Sequence, residues 1–186
     1  MENVGFTRME DGTREEYAFL GKLWDEHCHG RLADNVLALL KQLQGPRLGY
    51  KIDRFQHSLQ SATRAERDGA DEETVVCALL HDMGDSLAPE NHGEFAATVL
   101  RPYVSEKNHW IIKHHGIFQG YYFWHHIGGD RDARERYRGH EHFDACAAFC
   151  ERWDQNSFDP DYDTASLDYF DPMVRHLFAK EPKGAG

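Results

Sequence analysis

Side chains that are able to bind metal are concentrated in the central part of this 186-residue chain. The most informative pair is His81-Asp82, which directly follows the apolar run Ala78-Leu79-Leu80. Such a run is normally buried, and burying an imidazole beside a carboxylate is costly unless a proton or a metal ion compensates. The predicted ligands are His57, His81, Asp82, His92, His115 and Asp154. Nitrogen and oxygen donors of this kind suit iron, manganese or zinc.

The composition of this set suits two metal ions. Asp82 has two carboxylate oxygens and can therefore bridge two cations, with imidazoles on either side filling separate sites. Asp154 is expected to bind the first ion from the side opposite the bridge. Helical periodicity alone does not decide between the neighbours His114 and His115, although His115 is preferred.

Helices are expected to position these ligands, because no convincing strand alternation appears along the chain. His57 lies on a predicted helix from about Ile52 to Asp68, which ends at Gly69. His81 ends the following helix, which Asp71 is predicted to cap. Two antiparallel helices with a short connection place such residues side by side. The fold class is therefore predicted to be all-α.

The remaining elements are also read as helices. Thr13 and Glu16 form a capping box that opens the first one. Further helices are predicted over 32–43, 93–100 and 106–115, and a long one over 134–153 with an apolar inward stripe. Residues 116–130 are rich in glycine and aromatic residues and are interpreted as a loop or broken helix. Asp171-Pro172 is expected to start the last helix.

One domain is predicted over residues 1–186, with scaffold helices in 1–45, a metal-binding core in 46–156 and a C-terminal helix and tail in 157–186.

Composition limits the classes of function. The net charge of −11 argues against a nucleic-acid-binding surface. No apolar run is long enough for a membrane span. The four cysteines form no closely spaced pairs, which favours free thiols and a cytoplasmic location.

The ligand pattern resembles the HD-domain superfamily, whose signature H…HD…D corresponds here to His57…His81-Asp82…Asp154. This resemblance covers about residues 50–154. Segments 56–60, 69–71 and 78–84 resemble more specifically the HD-domain oxygenases, the mixed-valent di-iron enzymes that include myo-inositol oxygenase and the organophosphonate dioxygenases. His92 and His115 match the second-iron ligands of that group, and the superfamily implies an HD-domain helical bundle.

The resemblance implies an Fe(II)/Fe(III) pair, with O2 as cosubstrate. It also implies cleavage of the C–P bond of a 1-hydroxyphosphonate. The expected substrate is (R)-1-hydroxy-2-trimethylaminoethylphosphonate, which would yield glycine betaine and phosphate. Alternatives are 2-amino-1-hydroxyethylphosphonate, which would yield glycine and phosphate, a dinuclear phosphohydrolase acting on a nucleotide, and a non-catalytic binding module. The partner is expected to be a small organophosphonate, with no nucleic acid or membrane; the oligomeric state stays open.

Residues for substrate binding or gating follow partly from the resemblance. In the phosphonate branch, a Tyr and an acidic residue close over the second iron, a role that Tyr50 and Asp53 are expected to fill. The branch favours a basic residue where this chain has Asp85, so a cation is expected near that carboxylate. Aromatic faces hold quaternary ammonium groups. The remaining candidates are Tyr121 and Tyr122 for the ammonium group, and Lys113 and Arg152 for the phosphonate.

Overall fold

The computed structural model describes residues 2–183, and within that range it contains helices and no strands. This confirms the all-α prediction. The chain divides into two compact units, Met1–Leu37 and Ala38–Gly186. The single domain over 1–186 stays a prediction, and the end of its tail, 184–186, lies outside the described residues. The helices are α1 (Arg14–Trp24), α2 (Leu32–Lys41), α3 (Arg54–Arg67), α4 (Glu72–Leu80), α5 (His92–Leu100), α6 (Glu106–Phe123), α7 (Phe143–Phe149) and α8 (Leu167–Phe178).

In the N-terminal unit, α1 begins with the predicted capping box. The Glu16 N–H donates to the Thr13 hydroxyl, and the Glu16 carboxylate accepts from the Thr13 N–H. These two bonds satisfy amide groups that the first turn of α1 leaves without helical partners. A short π-helical segment, Asp25–His29, follows α1 directly.

Helices α3 and α4 pack against each other in the second unit. Asp53 caps α3 by accepting the Gln56 N–H at 2.8 Å, and Asp71 caps α4 by accepting the Thr74 N–H at 2.8 Å. Gly69 adopts a φ of +78° in the turn between them, a conformation that glycine tolerates best. The chain therefore reverses over a few residues, and His57 and His81 come to lie side by side. Helix α4 ends at Leu80, and residues 81–87 form successive turns.

The segment 116–130, predicted as a loop or broken helix, is continuous α-helix in its first half, because α6 continues to Phe123, where a 3-10 segment, Trp124–Ile127, follows it. The helix persists through its glycines because its side chains are packed. Phe118 is completely buried, and the Trp124 ring lies so close over Gly120 that a Cβ there would overlap it. Tertiary burial thus outweighs the modest helix penalty of glycine.

The single long helix predicted over 134–153 is also wrong. The segment consists of a 3-10 turn (Ala133–Tyr137), helix α7 and a π-helical turn (Cys150–Asp154). The apolar stripe that was predicted to face inward is nevertheless buried. It comprises Phe143, Cys146, Phe149, Cys150 and Trp153. The wider π turn follows α7 without a break and buries both Trp153 and Asp154, although they are neighbours in sequence.

The last helix starts earlier than predicted, at Leu167, and contains Pro172 within it. Proline lacks an N–H and removes one helical hydrogen bond. The carbonyl that loses its partner belongs to Asp168, which is exposed to water. Burial of Phe170, Val174 and Leu177 holds the helix against the core despite that loss. The cysteines are free, as predicted, and those beyond α2 are buried.

Candidate metal centre

The six predicted ligands converge in the second unit, although they come from different elements. His57 lies on α3, His92 begins α5, and His115 lies in the middle of α6. His81 and Asp82 directly follow the last residue of α4, and Asp154 ends the π turn. All are buried except His92, which is half-buried. Ligands that are far apart in the sequence therefore form one cluster in the fold.

The orientation of the imidazoles is set by backbone carbonyls, each of which faces the Nδ1 atom of one histidine. A carbonyl can only accept a hydrogen bond, so each Nδ1 carries the proton. The Nε2 lone pairs consequently point into the cluster, as in histidines that bind metal. The Nδ1–carbonyl pairs are His57–Ser157 (2.8 Å), His81–Ala78 (2.8 Å), His92–Pro89 (3.3 Å) and His115–Ile112 (2.7 Å).

The inward nitrogen atoms lie very close to one another. The Nε2 atoms of His57 and His81 are 3.1 Å apart, and those of His92 and His115 are 3.2 Å apart. Two lone pairs that face each other at this distance repel unless a positive charge lies between or beside them. A proton or a metal cation can supply that charge, so the geometry fits a metal ion at each pair.

Asp82 divides the cluster into two candidate sites. The first candidate site comprises His57, His81, Asp154 and Oδ2 of Asp82. Within it, the His57 Nε2 atom lies 3.4 Å from Oδ2 of Asp82 and 3.3 Å from Oδ1 of Asp154. The second candidate site comprises His92, His115 and Oδ1 of Asp82. That oxygen lies 3.5 Å from Nε2 of His92 and 3.2 Å from Nε2 of His115. One carboxylate thus faces both sites, as a bridging ligand must.

The electrostatics of the cluster favour positive charge. Burial alone would lower the pKa of His81, but the neighbouring carboxylates Asp82 and Asp154 raise it well above its ordinary value. Burial likewise opposes ionisation of Asp82, but His81 and Arg54 lower the pKa of this carboxyl well below its usual range. Ionised carboxylates that face imidazole lone pairs are the arrangement that binds a transition-metal cation.

The second candidate site opens into a cavity of about 310 Å³. The bridging Asp82 and Asp154 also reach its wall, whereas His57 and His81 do not. Several of the lining side chains are aromatic. The lining residues are Tyr50, Arg54, Asp82, His92, His115, Gly116, Gln119, Tyr122, Phe123, Asp154, Gln155 and Phe158.

Some of the predicted substrate residues lie at this cavity. Tyr50 and Tyr122 belong to its lining, and Tyr50 stacks on Phe158 with ring centroids 5.0 Å apart. Asp85 lies beside the second candidate site, with Oδ1 3.3 Å from Nδ1 of His92. The Arg54 guanidinium lies beside Asp85, and its Nε donates to Oδ2 at 2.7 Å.

The structure does not bring the other predicted substrate residues to the cavity lining. The Asp53 carboxylate serves as the N-cap of α3, and the Tyr121 ring packs under the Arg134 guanidinium at 3.6 Å. Neither phosphonate candidate belongs to the lining, and both form ion pairs. These pairs are Lys113 with Glu94 (3.6 Å) and Arg152 with Asp68 (2.9 Å).

Of the two adjacent histidines on α6, it is His115 that faces the cluster. His114 turns to the opposite side, where its ring stacks on Trp110 with centroids 4.3 Å apart. Burial lowers the pKa of His114, although its hydrogen bond to the Trp110 carbonyl opposes that effect. The preference for His115 therefore agrees with the orientation of the helix.

Sequence reasoning missed Arg54, Gln119 and Phe158. Arg54 precedes His57 by three positions and Gln119 follows His115 by four, so each shares a helix face with a predicted ligand. That spacing was a usable signal. Gln119 donates its Nε2–H to Oδ1 of Asp154 at 3.0 Å. Phe158 stacks on His57 from a segment without regular structure, and no sequence pattern indicates this contact.

The fold and the ligand set agree with the family relationship of the chain. A model of the HD domain matches residues 54–157, and the chain belongs to this family. A curated relative is the [1-hydroxy-2-(trimethylamino)ethyl]phosphonate dioxygenase (glycine-betaine-forming) of Leisingera caerulea. It is 37% identical over 67 residues, which cover 30% of this chain and 34% of the relative. The match therefore spans about a third of the relative's length. None of the described helices combines the length and apolarity needed to cross a bilayer.

Proposed function

We propose that the protein is a di-iron oxygenase that uses O2 to cleave the C–P bond of a 1-hydroxyphosphonate. The observation that carries this proposal is the pair of candidate sites that share Asp82, one buried and one open to a cavity. The partial similarity to a phosphonate dioxygenase supports the same reaction. The proposed substrate is (R)-1-hydroxy-2-trimethylaminoethylphosphonate. This compound and one O2 together contain the atoms of glycine betaine and phosphate.

The proposed roles follow from exposure. His57, His81 and Asp154 would hold the buried iron, and His92 and His115 the iron beside the cavity. When bound, an Fe(II)/Fe(III) pair supplies the redox chemistry that O2 activation requires. The protein's own contribution is to orient the imidazoles through backbone carbonyls and to exclude water from the buried site.

The cavity suits a small molecule that carries both a positive and a negative charge. The rings of Tyr50, Tyr122, Phe123 and Phe158 line it, and aromatic faces attract quaternary ammonium groups. The Asp82 and Asp154 carboxylates add negative charge. A volume of about 310 Å³ lies at the lower end of the range for ligand pockets. A substrate with a free amine, 2-amino-1-hydroxyethylphosphonate, would interact less favourably with these aromatic faces.

A dinuclear phosphohydrolase is the second candidate, since two metal ions bound by nitrogen and oxygen ligands also suit attack of water on phosphorus. Its substrate would be a nucleotide. Arg54 is the single Lys or Arg among the described residues that line the cavity. A nucleotide with several phosphates would need more positive charge than that, which favours the oxygenase.

The test is oxygen-dependent phosphate release by iron-loaded protein. We expect one O2 consumed for each phosphate formed from the trimethylated substrate, and slower turnover of the free-amine analogue. A mixed-valent di-iron signal in the EPR spectrum that changes when substrate is added would support the metal assignment. Nucleotide hydrolysis without O2 uptake would refute the oxygenase.

A matched pair of variants on α6 tests which side chains are involved. His115→Ala should abolish turnover and lower the metal content, because His115 faces Asp82. His114→Ala is the control, because that ring packs on Trp110 away from the cluster. It should cost about 1 kcal/mol of stability or less and leave turnover intact. Equal activity of both variants would contradict the proposed site.

A further inference from the structure

The Arg54 side chain occupies an unusual position beside the second candidate site. It lies on the first turn of α3, and its guanidinium faces the same cavity as His92 and His115. Its side chain is 31% exposed, so a molecule in the cavity can reach it. Arg54 thus differs from the other arginines of α3, Arg64 and Arg67, whose guanidinium groups pack over the Tyr162 ring.

The charge around Arg54 is otherwise negative. Its Nη1 atom lies 3.6 Å from Oδ2 of Asp82, and its Nε donates to Asp85 at 2.7 Å. Asp82 and Asp154 are the acidic side chains of the cavity lining. Arg54 is therefore the one Lys or Arg side chain that an anionic group meets among the described residues lining this cavity.

The guanidinium retains capacity for a further ligand. It has five N–H donors in a planar fork, and the two contacts to Asp82 and Asp85 involve only Nε and Nη1. Such a fork matches two oxygens of a phosphonate or phosphate group. The rings of Tyr50 and Phe158 lie about 6 Å from the guanidinium carbon, at 5.8 and 6.0 Å, and restrict its position.

Asp85 holds Arg54 in that position. Its two oxygens are divided between neighbours, Oδ2 accepting from Arg54 and Oδ1 facing Nδ1 of His92 at 3.3 Å. The Asp85 carboxylate thereby links the guanidinium to a ligand of the second candidate site. The Asp85 side chain therefore sets the distance between an anion bound to Arg54 and a metal ion bound to His92.

We infer that Arg54 is the residue that binds the phosphonate group of the substrate, and that Asp85 positions it. This assignment rests on the proposed function and deepens it by naming the specificity-determining residue. It also accounts for the acidic residue at position 85, because the positive charge comes from α3 instead. The two candidates chosen from sequence alone, Lys113 and Arg152, are not among the lining residues of this cavity and form ion pairs with Glu94 and Asp68.

The experiment measures binding of methylphosphonate, which has no hydroxyl at C1 and serves as a stable probe. The dissociation constant is determined by calorimetry on metal-loaded wild type, Arg54→Gln and Arg54→Lys. Arg67→Gln is the matched control, since Arg67 lies on the same helix and pairs with Asp163 on the surface at 2.8 Å. Metal content and thermal midpoint are recorded for each protein.

We expect Arg54→Gln to weaken methylphosphonate binding by about tenfold or more, as for a lost charge-assisted hydrogen bond. Arg54→Lys should restore part of that loss, because it keeps the charge but not the fork. In turnover, the effect should fall on KM more than on kcat. Arg67→Gln should leave the dissociation constant unchanged.

Two outcomes separate this inference from the proposed function. Unchanged methylphosphonate affinity and unchanged KM in Arg54→Gln would overturn the assignment, whatever the reaction is. A wild type that binds methylphosphonate through Arg54 but consumes no O2 with hydroxyphosphonates would refute the oxygenase and leave the anion site standing.

Discussion

The two candidate metal sites share one carboxylate but differ in their surroundings. The ligands of the first, His57, His81 and Asp154, have side chains that are 3% exposed or less. In the second, the His92 side chain is 23% exposed, and a cavity adjoins it. Metal ions that do chemistry keep a position open for substrate, whereas closed sites mainly hold their ion in place. The difference indicates that substrate binds on the His92 side.

Local structure explains this difference. His57 lies within the body of α3 and His81 immediately follows α4, and both helices are buried on several sides. His92 is the first residue of α5 and follows a stretch of turns over residues 81–91. A helix start after a surface loop leaves one side of the imidazole accessible.

Removing the shared carboxylate should have the largest effect, because it breaks both sites together. Asp82→Asn leaves a neutral amide between two groups of imidazoles, and we expect metal affinity at both sites to fall at least about 100-fold. Metal content by mass spectrometry and turnover should both be lost. If the variant retained one tightly bound ion per chain, Asp82 would not be the bridge.

Separate removal of one histidine from each site should distinguish the closed site from the open one. His57→Ala creates a cavity in the core and should cost about 2–4 kcal/mol of unfolding free energy. His92→Ala removes a half-buried ring and should cost about 1 kcal/mol or less. Urea denaturation of the metal-free variants measures both. Similar losses in the two variants would mean that the sites do not differ in burial as described.

The smallest expected effect concerns the spacing of the two sites, which Glu73 helps to set. Its carboxylate on α4 accepts the Ser105 N–H at 2.7 Å and the Asn108 Nδ2–H at 2.8 Å, and Asn108 lies on α6. It thereby ties the helix that ends before His81 to the helix that carries His115. Burial opposes ionisation, but the bonds from Ser105 and Asn108 lower the pKa of Glu73 below its ordinary value.

The pH dependence follows from the direction of that shift. A carboxyl with a lowered pKa stabilises the fold above pH 4.5, its ordinary value, and this stabilisation is lost as pH falls through the lower value. Glu73→Gln should therefore cost about 1 kcal/mol near neutral pH and show a shallower decline in acid. Thermal unfolding across the acid range measures this, with Glu66→Gln as a control outside the α4–α6 contact. Parallel acid curves for wild type and Glu73→Gln would contradict it.

Much of the site could be predicted because its signals are local. The pair His81-Asp82 after an apolar run, the Asp71 cap and the glycine turn at Gly69 each depend on a few neighbouring residues. They were sufficient to predict that α3 and α4 bring His57 beside His81. The all-α class followed from the same helical periodicity.

The errors arose where distant packing decides the outcome. Gly116 and Gly120 favoured a loop or broken helix, but burial of Phe118 and the Trp124 ring over Gly120 keep α6 helical to Phe123. Residues 134–153 suggested one helix, but a 3-10 turn and the turns before α7 interrupt the segment, and its end is π-helical. Neither result can be read from neighbouring residues, because the stabilising contacts come from other parts of the fold.

The sequence by itself determined which side chains can bind metal and that helices carry them, since residue type and helical spacing are properties of short segments. Only the tertiary structure decided that one group of imidazoles is closed and the other opens to a cavity, and that Arg54 rather than Lys113 or Arg152 lines that cavity. The positions of charges and cavities depend on which helices pack together and at what distance. That information resides in contacts between residues far apart in the chain.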